Sequence, residues 1–280
     1  MSYNGPLARC PYIKMIGYGA LSQETCIFRN MKSVFYVVLA IFAIVVFSFC
    51  SHAKDDREHE GLNLLIYSKT KAFRHECIEP GSQALQSYFS QHGIESTFTE
   101  DFSVFTSSNL AQYDAVMFFQ TTGNVLDSVQ QIAFEKYIRS GKGFVGVHAA
   151  SDTEYDWPWY GKLVGAYFSS HPDIQQATLT KEDTSHQSCK HLPDRWTRTD
   201  EWYNFKQIPS DVHILLNLDE TTYQGGTHGD PHPMSWYHDY EGGRAFYTAL
   251  GHTVESYRDT LFLEHVMEGV KWAGNHGVME

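Results

Sequence analysis

Cysteine is scarce in this sequence, and most of it lies near the amino terminus. Of the five cysteines in 280 residues, only Cys77 and Cys189 follow residue 53. Two cysteines cannot build a disulfide framework, and neither belongs to a metal-ligand spacing such as C-x-x-C. A single bridge in an oxidising compartment stays open as an alternative. We interpret both as ordinary residues of the domain.

Clusters of basic residues are also lacking. The chain has 21 Lys and Arg against 33 Asp and Glu, and its formal net charge is -12. Because phosphate binding depends on clustered Lys and Arg, this pattern excludes a nucleic-acid partner. Aromatic residues are plentiful by contrast, at 15% of the chain, and most are expected to fill the core of one large domain.

The amino-terminal region carries one long apolar run, residues 34–49, which follows Lys32. Ser51-His52-Ala53 and a charged stretch come next. A positive start, an apolar middle and a small-x-small end are typical of a secretory signal peptide. An uncleaved membrane anchor is the alternative, although a membrane span needs about 20 residues. The sequence predicts export to the periplasm or cell envelope.

The chain is therefore divided into three predicted segments. Residues 1–30 are predicted to be an upstream extension outside the fold, because Met31-Lys32 is a more natural start than Met1. Residues 31–53 are predicted to be the signal peptide or anchor. Residues 61–274 are predicted to form the folded domain.

Within the domain, apolar strands alternate at first with amphipathic helices. The predicted strands of this first part are 62–67, 94–99, 115–119 and 143–148, and its helices are 79–92 and 127–140. Strands separated by helices of this length imply right-handed crossovers and a parallel sheet. The later elements are joined by long loops: strands 175–181, 212–218, 234–237 and 245–250, and a final helix over 261–273. The sequence therefore predicts an α/β domain.

The strand over residues 144–147 ends abruptly in His148, followed by Ala149 and Ala150. In a nucleophile elbow, the corresponding position between strand and helix holds a serine or cysteine. An imidazole acts as an acid, a base or a metal ligand but seldom forms acyl-enzyme intermediates. The sequence thus argues against covalent hydrolysis of amides or esters.

Histidines follow other predicted strands in the same way. His75 comes after the first strand and His252 after the last. Because ligands bind outside the carboxyl ends of the strands in an open α/β sheet, we expect His75, His148 and His252 to share one pocket. The alternative is three isolated loop histidines. Neutral imidazoles suit zinc, manganese or iron, yet no H-E-x-x-H motif occurs, so a divalent metal is left open.

Carboxylates and aromatic residues accompany these histidines. Two carboxyl groups in different environments could divide general-acid and general-base work, although Asp152 and Asp200 could equally be local caps. The residues predicted to be catalytic are His148, Asp152, Glu201 and His252. Those predicted to contact substrate are Lys69, His75, Glu154, Trp157, Trp202, Tyr203, His232 and Trp236. The tryptophans either stack on a sugar ring or pack the rim of the site.

Six ordered segments resemble one family. They are 69–76, 146–161, His171-Pro172, 200–204, 232–236 and 242–253, and the chain is similar over about residues 61–274 to the ThuA-like (trehalose utilisation) family. The resemblance implies a fold related to class I glutamine amidotransferases: a flavodoxin-like three-layer sandwich with a mainly parallel sheet. It also implies that the cysteine nucleophile of those enzymes is absent, in agreement with His148 at the elbow.

The resemblance further implies chemistry on oxidised sugars, in particular 3-keto-glycosides made by a sugar dehydrogenase acting upstream, with no stable complex. A 3-keto group acidifies the neighbouring C–H bond, so a base can remove that proton while an acid assists isomerisation or loss of the glycosidic oxygen. We expect His148 or His252 as base and Glu201 or Asp152 as acid. The alternatives are a non-catalytic carbohydrate-binding envelope protein, or a metal-dependent hydrolase with His75, His148 and His252 as ligands.

Overall fold

The apolar strands that alternate with helices in the sequence form half of a large mixed sheet. The computed structural model describes residues 61–207 and 210–275. Its strands are β1 (Leu62–Tyr67), β2 (Ile94–Thr99), β3 (Ala115–Phe119), β4 (Gly143–Val147), β5 (Phe168–Ser170), β6 (Gln175–Lys181), β7 (Arg195–Asp200), β8 (Asn204–Phe205), β9 (His213–Leu218), β10 (Pro233–Tyr240) and β11 (Gly243–Thr248). Its helices are α1 (Ile78–Gln91), α2 (Ser107–Leu110), α3 (Ser128–Arg139), α4 (Pro158–Val164) and α5 (Thr260–Gly274).

Five parallel strands form the first half of the nine-stranded sheet, in the order β2-β1-β3-β4-β11. If β11 is counted as the fifth strand, this is the order of a flavodoxin-like sheet. Val147, the last residue of β4, pairs with Phe119 and Thr248 on its two neighbours. Because these strands end level with one another, the residues after them meet at one edge, as the sequence predicts.

Four antiparallel strands extend the sheet beyond β11, in the order β10-β9-β6-β7. Strand β7 lies at the outer edge of the sheet, yet its Arg198 lies over the ring of Phe262 at the start of α5, 5.0 Å from the ring centroid. The last residue of β7, Asp200, accepts hydrogen bonds from the backbone that follows β11. The antiparallel half therefore brings its last strand back to the carboxyl edge of the parallel half.

Helices pack on both faces of the parallel strands. On one face, Phe134 of α3 and Tyr160 of α4 pack against Phe118 of β3, with ring centroids 5.3 and 5.4 Å apart. On the other, Phe246 of β11 packs against His265 of α5. Because β4 is buried along its whole length, its apolar residues are covered on both sides, as in parallel sheets generally.

The sequence located most of these elements to within a few residues. It missed β7, whose residues Arg-Trp-Thr-Arg-Thr-Asp alternate between exposed and buried without an apolar run. It also missed the short β5, β8, α2 and α4. Cys77 and Cys189 are free and buried, which confirms their interpretation as ordinary residues.

Two predictions about the amino terminus concern residues 1–30 and 31–53, which lie outside the described part of the chain. Among the described residues, no helix is both long enough and apolar enough to cross a bilayer.

Candidate functional site

His148 occupies a strained turn at the carboxyl end of β4. Its φ is +50°, in the left-handed region that residues other than glycine seldom adopt. The hydroxyl of Tyr247 donates a hydrogen bond to the His148 carbonyl at 2.8 Å, and Tyr160 donates to the Ala150 carbonyl at 2.7 Å. Such strain persists only where the surroundings fix it, and it is often found at functional sites. The elbow predicted from the sequence is thus formed, with an imidazole at its tip.

The two other strand-end histidines lie against His148. Ring centroids are 5.2 Å apart for His75 and His148, 5.0 Å for His75 and His252, and 5.1 Å for His148 and His252. His148 has no exposed surface, and His75 is 4% exposed. The structure therefore brings together the three histidines that the sequence placed in one pocket.

Glu201 joins these histidines from the antiparallel half of the sheet. Its Oε2 lies 3.0 Å from Nδ1 of His252 and 3.4 Å from Nε2 of His148, while its Oε1 lies 3.1 Å from Nδ1 of His171. Burial raises the pKa of this carboxyl, but hydrogen bonds to His148 and His252 outweigh that effect and leave the pKa below its usual range. The Glu201 side chain is therefore ionised, which removes it as a general acid.

Asp200 fixes the position of Glu201 and His252. The side chain is fully buried and accepts hydrogen bonds from the backbone N–H of Gly251 at 2.9 Å and of His252 at 3.0 Å. It also accepts from the N–H of Glu201 and pairs with Arg198 at 3.1 Å. Sequence reasoning offered only a local cap here, because nothing in the sequence signals a contact between residues 200 and 252.

His75 offers an electron pair rather than a positive charge. Burial lowers the pKa of His75 to about 2, and neighbouring His148 and His252 add to this, so His75 is neutral. Nδ1 of His148 lies 2.6 Å from the Ala249 carbonyl and must donate to it, since a carbonyl only accepts. In the neutral ring, Nε2 of His148 then carries a lone pair that faces Glu201 and His252.

Asp152 lies one short 3-10 turn beyond His148 and is half-buried. Its Oδ1 accepts a hydrogen bond from the hydroxyl of Tyr155 at 2.5 Å. Burial raises the pKa of Asp152. The positive charge of Lys206, a residue that sequence reasoning missed, acts on Asp152 in the opposite direction. Nζ of Lys206 lies 3.7 Å from the ring centroid of Tyr155. Asp152 and Glu201 are thus two carboxyls in different environments, as the sequence predicts.

The other residues predicted to contact substrate are mostly buried. Trp202 and Trp236 have no exposed surface, Trp157 is 8% exposed, and their indole N–H groups bond to Gln175, Val164 and Glu135. In this structure they pack the core and offer no ring face to a sugar. A large exposed ring beside the histidines is instead that of Phe73, which is 62% exposed and lies 4.9 Å from His75, centroid to centroid.

Glu154, Tyr203 and His232 support the site from behind. Glu154 is 1% exposed and accepts hydrogen bonds from the backbone N–H of Val125 and Leu126. Tyr203 lies over the ring of His148, with centroids 4.1 Å apart. His232 is fully buried between Glu220 and the Tyr203 carbonyl.

Lys69 lies outside the group of clustered histidines. Its Nζ is 4.8 Å from the ring centroid of Phe102, a residue just after β2. The structure thus places Lys69 at the strand-end surface, where it contacts an aromatic ring.

The fold and this site define an open α/β protein of the amidotransferase-like class in which histidine replaces the elbow nucleophile. The model of the ThuA (trehalose utilisation) family matches residues 63–273. The chain therefore belongs to the ThuA family. No curated protein sequence matches it.

Two solved structures share this fold. A ThuA-like protein from Parabacteroides merdae is 20% identical, with a TM-score of 0.67, over 79% of this chain and 92% of the other. A ThuA-like protein from Bacteroides uniformis is 23% identical, with a TM-score of 0.63, over 76% of this chain and 91% of the other.

Proposed function

We propose that this chain is an enzyme of carbohydrate metabolism that acts on 3-keto-glycosides or related oxidised sugars. The observation that carries the proposal is the pairing of an electron-rich centre, made of His75, His148, Glu201 and His252, with the half-buried Asp152 nearby. Enzymes that move a proton next to a carbonyl need a group whose pKa is shifted toward the operating pH. Burial shifts the pKa of Asp152 in that direction.

Asp152 is the residue to which we assign the proton transfer. Its carboxylate takes the proton from the carbon beside the keto group, and the C–H electron pair forms the enolate. The same carboxylic acid then returns the proton, either to carbon in an isomerisation or to the glycosidic oxygen, which leaves as an alcohol while the enolate electrons restore the carbonyl and form a carbon–carbon double bond. The centre at His148 binds the keto end of the sugar. This assignment replaces Glu201 as acid, because Glu201 is ionised.

The wider setting belongs to the same proposal. The chain is exported to the periplasm or cell envelope, with residues 31–53 as signal peptide or anchor. A sugar dehydrogenase supplies its substrate without forming a stable complex. Its parallel half is the three-layer sandwich of the class I amidotransferases, supported by helices on both faces of the sheet.

Turnover of sugars tests this proposal. The purified chain is incubated with a panel of glycosides and their 3-keto derivatives, and the products are followed by mass spectrometry and NMR. We expect conversion of the keto forms only. We also expect Asp152→Asn to lower kcat by roughly 10²- to 10⁴-fold, the usual contribution of a positioned acid or base.

Asp156→Asn is the matched control for that variant, since Asp156 lies in the same segment but is exposed and bonded to Asn124. This control should keep full activity. Binding of a sugar without conversion would instead support a non-catalytic carbohydrate-binding protein. No conversion of any keto-sugar, by a folded chain supplied with divalent metal, would overturn the proposal.

A further inference from the structure

The centre at His148 has an unusual electrostatic composition. Nδ1 of His148 lies 2.6 Å from the Ala249 carbonyl, so its N–H is directed there, and Nε2 of the same ring faces Glu201 Oε2 from 3.4 Å and Nδ1 of His252 from 3.2 Å. Two electron pairs that face each other in a buried site repel unless a proton or a cation lies between them. An electron-rich centre also cannot stabilise the negative charge of an enolate, which the proposed reaction creates.

We infer that His75, His148, Glu201 and His252 bind one divalent transition-metal ion. Each of these residues offers one ligand atom, and the four atoms lie within 4.8 Å of one another. This inference rests on the same site as the proposed function and names the cofactor of that site.

The distances among three of the ligand atoms fit such an ion. They are 3.2 Å between Nε2 of His148 and Nδ1 of His252, 3.4 Å from that Nε2 to Glu201 Oε2, and 3.0 Å from that Nδ1 to Oε2. Donors of a tetrahedral site with metal–ligand bonds near 2.1 Å lie about 3.4 Å apart. Only small movements are therefore needed to bring the three donors around one ion.

The surroundings of these ligands are those of a metal site. A ligating histidine almost always donates its other N–H to a carbonyl or carboxylate, which fixes the ring and its tautomer. His148 does this through Ala249, and Asp200 holds the backbone of both Glu201 and His252. His75 brings a buried Nδ1 that has no hydrogen-bond partner among the described residues.

The donor set indicates the class of ion. Three imidazoles and one carboxylate suit Zn²⁺, Mn²⁺, Fe²⁺ or Co²⁺, whereas Mg²⁺ and Ca²⁺ prefer sites built entirely from oxygen. The centre is open on one side, because the His252 side chain is 19% exposed and that of His171 beside Glu201 is 43% exposed. A substrate oxygen can reach the ion from that side. The ion would then polarise the keto oxygen while Asp152, outside the four ligands, carries the proton.

Metal content and affinity test this inference without any assay of activity. The metal content of the purified chain is measured by elemental analysis, and the metal-free chain is titrated with Zn²⁺, Mn²⁺, Co²⁺ and Mg²⁺ by calorimetry. We expect one transition-metal ion per chain and no comparable binding of Mg²⁺. Glu201→Gln and His252→Gln should each weaken binding by more than about 100-fold, since even residues behind the ligands change affinity by 10- to 100-fold.

The control is Glu264→Gln, because Glu264 lies 3.8 Å from Nδ1 of His191 in a histidine–carboxylate contact outside the four-residue centre. This variant should bind metal as the unaltered chain does. Visible absorption of bound Co²⁺ gives a second readout, and circular dichroism shows whether each metal-free variant is folded.

The outcomes separate this inference from the proposed function. Absence of any bound transition metal, or equal affinity in folded Glu201→Gln, His252→Gln and unaltered chains, would overturn the inference. Turnover of keto-sugars by metal-free protein would leave the proposed function in place and reject a role for the ion in that reaction. Tight metal binding without turnover of keto-sugars would support the bound ion and reject the proposed function.

Discussion

The two halves of the sheet contribute to the site in different ways. In the parallel half, level strand ends bring His75, His148 and His252 to one edge of the sheet. In the antiparallel half, the outermost strand β7 has to return to the parallel edge before Glu201 can reach them. The first contribution follows from local pattern, whereas the second depends on a few buried long-range contacts. The positions of His75 and His148 should thus tolerate damage that detaches Glu201.

The largest effect is expected at the contact that joins the halves. Asp200→Asn removes the nearer of the two carboxylate charges beside buried Arg198, the other being Asp259, and turns an acceptor of three backbone N–H groups partly into a donor. Loss of one partner of a buried ion pair costs roughly 3–5 kcal/mol. Urea denaturation should show that decrease in the free energy of unfolding, and metal affinity should fall with it.

Asp194→Asn is the matched control in the same half. Its side chain is 89% exposed and pairs with Lys181, so the loss should stay below about 1 kcal/mol. Equal effects of the two variants would show that Asp200 does not join the halves.

An effect of intermediate size on the free energy of unfolding is expected when the pH is lowered. It arises at a second contact between the two halves of the sheet. His265 on α5 bonds through Nδ1 to the Ser188 carbonyl and through Nε2 to Ser235, both in the segments that build the antiparallel half. Burial lowers the pKa of His265 to about 3. Below pH 6.5 the unfolded chain takes up a proton at this residue that the folded chain does not, so stability falls as the pH drops from about 6.5 toward 3.

The contribution of one such group is at most about 1.4 kcal/mol per pH unit. Unfolding free energies at pH 4.5 to 7 should therefore depend less steeply on pH in His265→Gln than in the unaltered chain. His92→Gln, a change at an exposed histidine, should keep the original slope. An unchanged slope in His265→Gln would mean that this histidine is not the buried neutral group described above.

The smallest effect on stability is expected at the rim of the parallel half. Phe73 is 62% exposed, so Phe73→Ala should change the free energy of unfolding by less than about 0.5 kcal/mol. Because its ring lies beside His75, we expect KM for a keto-glycoside to rise several-fold with little change in kcat. Ile132→Ala, a change at an exposed residue of α3, should alter neither constant. A KM equal to that of the unaltered chain would exclude Phe73 from substrate contact.

The same contrast explains what the sequence could predict. Strand ends at His75, His148 and His252 were recognisable because apolar runs stop there. The parallel topology then brings these strand ends to one edge of the sheet. The contact of Glu201 with them depends on the packing of β7 against α5, for which no local pattern exists. A tryptophan in the sequence does not show whether its ring lies in the core, as that of Trp236 does, or at the surface, whereas exposed Phe73 lies in an otherwise polar loop.

The buried hydrogen bonds from Gly251 and His252 to Asp200 also determine when, during synthesis of the chain, the four-residue centre can form. The four residues of the centre are spread from residue 75 to residue 252, and the last of them is held by Asp200. On a ribosome, a chain that has emerged only as far as β9 contains His75, His148 and Glu201 but no complete centre. The four-residue centre is therefore complete only when the carboxyl-terminal segment has been synthesised and docked, so a chain truncated before His252 lacks a complete centre even where β1 to β4 are intact.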